Sequence, residues 1–184
     1  MTKTPLLAVL VLAACGDDPV NYSAPVGIEL KVKSGEVTAT NALTPDKSIT
    51  TESGNPYGAF IAEAERTIGH DPSDIELEKV TITLGAQSTN VTSLEQVMTG
   101  DVYVSFLMND TNNTYVAAHW PSPTGMISAD GHVSFEYAML GSQDVDKFLG
   151  GSFKVALNAP AAAEFSTKGA EAVLQLTFTF SAFE

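Results

Sequence analysis

Residues 26–33 alternate strictly. Val26, Ile28, Leu30 and Val32 are apolar, and Gly27, Glu29, Lys31 and Lys33 lie between them. A period of two sends alternate side chains to opposite faces, so this stretch predicts an antiparallel strand with one face buried and one wet. The same pattern returns at Val80, Ile82 and Leu84, at Val102, Val104 and Phe106, and at Phe153, Val155 and Leu157. Val133, Phe135, Tyr137 and Met139 form another such set, and a weaker strand is expected from about Glu36 to Ala42. The clearest run closes the chain, where Leu174, Leu176, Phe178 and Phe180 alternate with Gln175, Thr177, Thr179 and Ser181.

Turn chemistry separates the runs. Ser34-Gly35 follows the first strand, Asp130-Gly131 precedes His132, and Gly150-Gly151 precedes Phe153. Asn109-Asp110-Thr111-Asn112-Asn113 reads as a hairpin loop between Val102–Phe106 and Tyr115–Ala118. About eight short strands with short connections predict an all-β fold, an immunoglobulin-like antiparallel β-sandwich. The expected core is Ile28, Leu30, Ile82, Leu84, Val104, Phe106, Phe135, Tyr137, Val155, Leu176, Phe178 and Phe180.

One segment has a different period. Tyr57, Phe60, Ile61, Ala64 and Ile68 share a face at helical spacing. Asn55 suits the N-cap, Pro56 the first helical position and Gly69 the stop, so one short amphipathic helix is expected over Asn55–Gly69. Thr92-Ser93-Leu94-Glu95 fits a capping box, and Asp144 is placed to cap a turn carrying Val145, Phe148 and Leu149.

Composition narrows the function. The 184 residues hold 9 basic and 22 acidic side chains, a net charge of −13, and Arg66 is the single arginine. So acidic a surface repels phosphate backbones, which argues against nucleic acid as a partner. There is one cysteine, Cys15, so no internal disulfide can form.

The position of that cysteine is informative. Lys3 precedes nine apolar residues, Leu6 to Ala14, too few to span a bilayer as a helix but the length of a signal-peptide core. Leu12-Ala13-Ala14-Cys15 resembles the lipobox of bacterial lipoproteins: an aliphatic residue, two small residues and the cysteine. The resemblance covers residues 1–18 alone. It implies that residues 1–14 are a cleaved export signal and that Cys15 carries the lipid. Residues 15–25 then form a tether and 26–184 the β-sandwich. It also implies attachment to a bacterial membrane. Gly16, where an inner-membrane signal would place an acid, favours the outer one.

Candidate chemistry is sparse. There is no Gly-x-Ser-x-Gly motif, and His70, His119 and His132 lie far apart in sequence, although His119 and His132 could flank one sheet with Asp101 nearby. No catalytic residue is assigned. Zinc spacings are lacking, and no metal or other cofactor is expected. The Asn109–Asn113 loop offers oxygen ligands for calcium, yet Asp110 is its one carboxylate, and turn geometry demands the same residue types. From Thr111 to Met126 sixteen residues carry no Asp, Glu, Lys or Arg. That stretch holds Tyr115, Trp120 and Pro121, and Tyr and Trp are enriched at binding hot spots. These three residues are the expected partner contact, although a lone Trp more often closes a core. The favoured function is a non-enzymatic contact module at the cell envelope, touching another envelope protein or a surface polymer. Alternatives are a sugar- or small-ligand-binding sandwich and a small hydrolase.

Overall fold

The computed structural model describes residues 20–50, 54–122, 127–167 and 169–184. The expected signal and Cys15 lie outside the described residues, as do Pro123 to Met126 of the charge-free stretch.

Two antiparallel sheets pack face to face. The smaller runs β1 (Asn21–Lys33), β10 (Glu171–Phe183), β4 (Asp74–Leu84), β7 (Ser128–Asp130). The larger runs β2 (Ala42–Leu43), β9 (Phe153–Pro160), β5 (Asp101–Met108), β6 (Thr114–Pro121), β8 (His132–Val133), with β3 (Asp46–Ile49) also pairing with β9. The first and last long strands lie side by side, with Val26 opposite Phe178, Ile28 opposite Leu176 and Leu30 opposite Leu174. Register is set by hydrophobic pattern: a slip of one residue would turn this whole apolar set to solvent.

β4 shows how the pattern absorbs an irregularity. Its inward residues are Ile75, Leu77, Val80, Ile82 and Leu84, with one step of three. At that step the ladder with β10 shifts, so that Thr179 faces Lys79 and Phe180 faces Leu77. Glu78 is the extra residue of this β-bulge, which lets both halves of the strand keep their apolar sides inward. Glu78 also accepts a hydrogen bond from the buried Ser181 hydroxyl.

The helix forms as expected. α1 spans Pro56–Ile68, the Asn55 side chain accepts from the Tyr57 amide at 2.9 Å, and Gly69 closes the end at φ 92°. Its Tyr57 is fully buried and donates its hydroxyl to the Phe148 carbonyl at 3.0 Å. Burial pushes that phenol well above its ordinary pKa, with the charge of Tyr137 adding to the effect. Phe148 comes from α2 (Ser142–Leu149), and a short α3 (Ala163–Thr167) precedes the last strand.

Four sequence expectations need correction. The domain starts earlier than Val26: β1 begins at Asn21, so residues 21–25, expected in the tether, pair with β10. The strand expected over 36–42 is a 3-10 turn, Ser34–Glu36, and a loop, and pairing begins only at Ala42, the first residue of β2. There the Glu36 carboxylate accepts from the Lys33 amide, the Thr38 hydroxyl accepts from the Ala42 amide, and Asn41 takes φ 58°. Side chains have taken the backbone donors that a ladder would need. The strand expected over 132–139 stops at Val133. Phe135 instead packs edge-on against Phe106 at 5.1 Å, Tyr137 begins a 3-10 turn, and Met139 is 55% exposed. Of the expected core residues, Tyr137 is thus half-buried at the margin and the other eleven are buried. At 92–96 the expected single turn forms as a 3-10 turn, Leu94–Gln96, with Ser93 at its N-cap in place of Thr92, and the Thr92 amide is held by the Gln96 side chain.

Phe178 lies fully buried between the sheets, stacked with Phe180 at 5.9 Å and against Phe106 at 5.7 Å. Phe178→Ala removes this ring without letting the sheets close, and thermal or denaturant unfolding should show a loss of about 3–5 kcal/mol.

Candidate contact face

The structure separates the three expected contact residues. Trp120 is 2% exposed. Its indole N–H donates to the Ala129 carbonyl at 3.1 Å, and its ring lies so close over Gly131 that a Cβ there would stand 2.7 Å from it. Trp120 is therefore a core residue that joins β6 to the turn after β7, and the contact expected of it is corrected. The reason is positional: its register partner is Val102 on the inward side of β5. Tyr115 also serves the interior of the fold, and its hydroxyl donates to Asp144 at 2.7 Å. Pro121 alone of the three is exposed.

Asp144 explains the Asn-rich loop. It sits in the first turn of α2, 1% exposed, and its carboxylate accepts hydrogen bonds from Thr111 Oγ1, Asn113 Nδ2 and Tyr115 Oη, each at 2.7 Å. The hydrogen bonds from Asn113 and Thr111 hold the carboxyl below its ordinary pKa, and Tyr115 and the nearby Lys147 cation add to this. The turn expected to be capped by Asp144 is capped by Gly141, and Asp144 instead ties the 109–113 hairpin to the helix. In that hairpin Asp110 and Asn112 have positive φ, and the Asp110 carboxylate pairs with Lys147 at 2.7 Å. The Asn and Asp residues satisfy turn geometry and one helix, and Asp144 is ringed by donors. Among the described residues no group of three or more His, Cys, Asp or Glu side chains could hold a metal ion.

The surface that stands out is one the sequence placed but did not single out. Registers across the larger sheet put Asn158 of β9, Tyr103 of β5, His119 of β6 and His132 of β8 in one row. Directly opposed residues share a face, so the four stand together on the outer side. Tyr103 is 39% exposed and stacks on the His119 ring at 4.6 Å, the planes 17° apart. Asp101 Oδ1 lies 3.6 Å from His119 Nε2, a pair that attracts once the imidazole is protonated. His119 and His132 thus come together with Asp101 nearby, and His70 lies elsewhere, bonded to the Asp71 carbonyl after α1. The next row brings Ala156, Ser105 and Val116 together, and Val116 is 40% exposed.

The two outer faces differ in kind. The smaller sheet turns Glu29, Lys31, Lys33, Glu76, Lys79, Asp130 and Glu171 outward, with ion pairs Glu29–Lys31, Lys33–Glu171 and Lys79–Asp130. On the larger sheet the row from Asn158 to His132 and the neighbouring Ala156, Ser105 and Val116 form an uncharged patch, bordered by the Asp46–Lys154 ion pair on one side and by Asp101 beside His119 on another. Alternation alone set Tyr103 on the wet face of β5; an aromatic at a wet position was the available signal. A comparison with known protein families and with curated proteins finds no match for this chain.

Two variants check these assignments. Trp120→Ala should cost about 3–5 kcal/mol and lower the melting temperature by many degrees, as core aromatics do; an unchanged melt would return Trp120 to the surface. Asp144→Asn should cost at least about 2 kcal/mol at neutral pH, because buried donors lose a charged acceptor. A carboxyl whose pKa is lowered by folding binds fewer protons folded than unfolded. Its stabilisation is present above about pH 4 and lost as pH falls through the folded value. Wild type and variant should therefore converge in stability as pH falls below about 4, read by denaturant unfolding at each pH.

Proposed function

We propose that this protein is a lipid-anchored envelope lipoprotein whose β-sandwich works by contact and not by catalysis, and that its contact surface is the outer face of the larger sheet around Tyr103. The contrast between the two outer faces carries this reading. A protein with a net charge of −13 keeps most of its surface hydrated and self-repelling, so an uncharged patch bearing Tyr103, the two histidines and Val116 is where desolvation costs least. The sandwich is immunoglobulin-like in its use of two packed antiparallel sheets as a rigid mount for such a surface. The stacking of Tyr103 on His119 favours a protein partner over a sugar: each ring turns a face to the other, and the row offers edges and polar tips.

The anchor rests on Leu12-Ala13-Ala14-Cys15. Export, loss of residues 1–14 and acylation of Cys15 would hold β1, which begins six residues after Cys15, close to the bilayer. With Gly16 after the cysteine, the outer membrane is the assigned site. No described helix is long and apolar enough to cross a membrane.

Labelled palmitate should enter the wild type and not Cys15→Ser, and the variant should leave the membrane fraction. For the contact face, a photo-reactive residue at Tyr103 should cross-link a partner in intact cells, and one at Glu76 on the opposite face should not. Equal capture from both positions would overturn the assignment of the face. With the photo-reactive residue placed at Val116 instead, Tyr103→Ala should abolish the cross-link while the domain stays folded by circular dichroism.

A further inference from the structure

The Asn158–Tyr103–His119–His132 row is uncharged only while its histidines are neutral. His119 of β6 and His132 of β8 are directly opposed in register. Side chains so placed stand about 4.5–5.5 Å apart at Cβ, on one face of the sheet. Imidazole is the side chain whose charge ordinarily changes between about pH 5 and 8. Two of the chain's three histidines thus sit side by side in the patch where charge matters most to a docking partner.

The groups that face His119 are few. β5 presents Asp101 and Tyr103, β8 presents His132, and Asn158 of β9, beyond Tyr103, is uncharged. The Tyr103 ring covers one face of the imidazole at 4.6 Å. His119 Nε2 is buried and makes no hydrogen bond among the described residues. Asp101 Oδ1 lies 3.6 Å from it, too far for a hydrogen bond. A proton at Nε2 supplies the missing donor, and the exposed Asp101 side chain, first in β5, can close on it as a charge-assisted pair. The face of Tyr103 is a cation–π partner for the same charge. His132 is exposed and has no ion pair among the described residues.

We infer that the contact face is gated by protons: a partner docks while His119 and His132 are neutral and is released when they become charged. The inference rests on the reading of the Tyr103 face as the contact surface. Docking takes both rings out of water, and a neutral imidazole loses far less hydration than a charged one. Asp101 answers one of the two charges. The charge on His132 enters the interface without a counter-charge and stands directly opposite the charge on His119, where like charges repel. Docking therefore expels protons, and in acid affinity falls by up to about tenfold per pH unit for each proton expelled. A partner that offered His132 a carboxylate would reverse the sign and bind more tightly in acid. The net charge of −13 selects against such an acidic partner. The partner surface that fits is uncharged over this row.

The test uses the full chain in isolated envelope membranes, with the photo-reactive residue at Val116. Wild type should capture its partner at about pH 7.5, and the yield should fall at least about fivefold at about pH 5.5 and recover on return. Circular dichroism of the purified chain should be the same at both pH values. The double variant His119→Gln, His132→Gln loses ring area and should capture less, but equally at the two pH values, because glutamine stays neutral. A wild-type yield that holds or rises in acid overturns the gate, as does release that accompanies unfolding. So does a double variant that still follows pH, which places the titrating groups on the partner, or one that captures nothing at the neutral pH. No capture by wild type at either pH overturns the contact reading itself, and the gate with it.

Discussion

Phe148 holds this fold together at one end. Its ring lies 5.1 Å from Phe135, 5.1 Å from Phe153, 5.4 Å from Phe106 and 5.6 Å from Tyr57, so one side chain on a two-turn helix touches both β5 and β9, the segment after β8, and α1. A helix of eight residues has little stability of its own. Asp144 supplies what it lacks. Asp144 and Phe148 are four residues apart, hence on one face, and the carboxylate clasps the 109–113 hairpin while the ring enters the core. The buried charge is acceptable because three donors meet it. Polar and apolar anchoring thus act on the same helix face, and each fixes the geometry that the other needs.

With that end secured, the rest is a sandwich with unlike exteriors. The smaller sheet is wet and charged on its outer side, laced by ion pairs of the exposed kind that contribute little stability but keep the face hydrated. The larger sheet carries the Asn158–Tyr103–His119–His132 row. A rigid sheet holds that row flat at no further entropic cost, which suits a surface that acts by contact.

Much of this was legible along the chain. Period-two runs located β1, β4, β5, β9 and β10 and sorted their residues by face, because a strand's side-chain period does not depend on what it packs against. Capping by Asn55 and the stop at Gly69 placed α1, since both act through neighbouring backbone groups. The same reading misled where local pattern and tertiary packing parted. Phe135, Tyr137 and Met139 alternate like a strand, yet Phe135 and Tyr137 pack against Phe106 and Phe148, and the chain leaves the sheet to reach them. The step of three from Leu77 to Val80 marks a bulge, but only a partner strand gives that step a meaning.

What the sequence by itself determined is the all-β class, the site of the one long helix, the acidic surface and the lipobox resemblance at Cys15, for each depends on residues near one another in the chain. What only the tertiary structure decided is which residues meet. Trp120 became core because β6 pairs with β5 in a register that turns it inward, and the same register turned Tyr103 and His119 outward into contact. Asp144 became an anchor because its donors, some thirty residues earlier in the chain, fold back onto it. Local rules set a side chain's face, and long-range pairing sets its neighbours, which is why the candidate contact face could be read only after the strands were ordered.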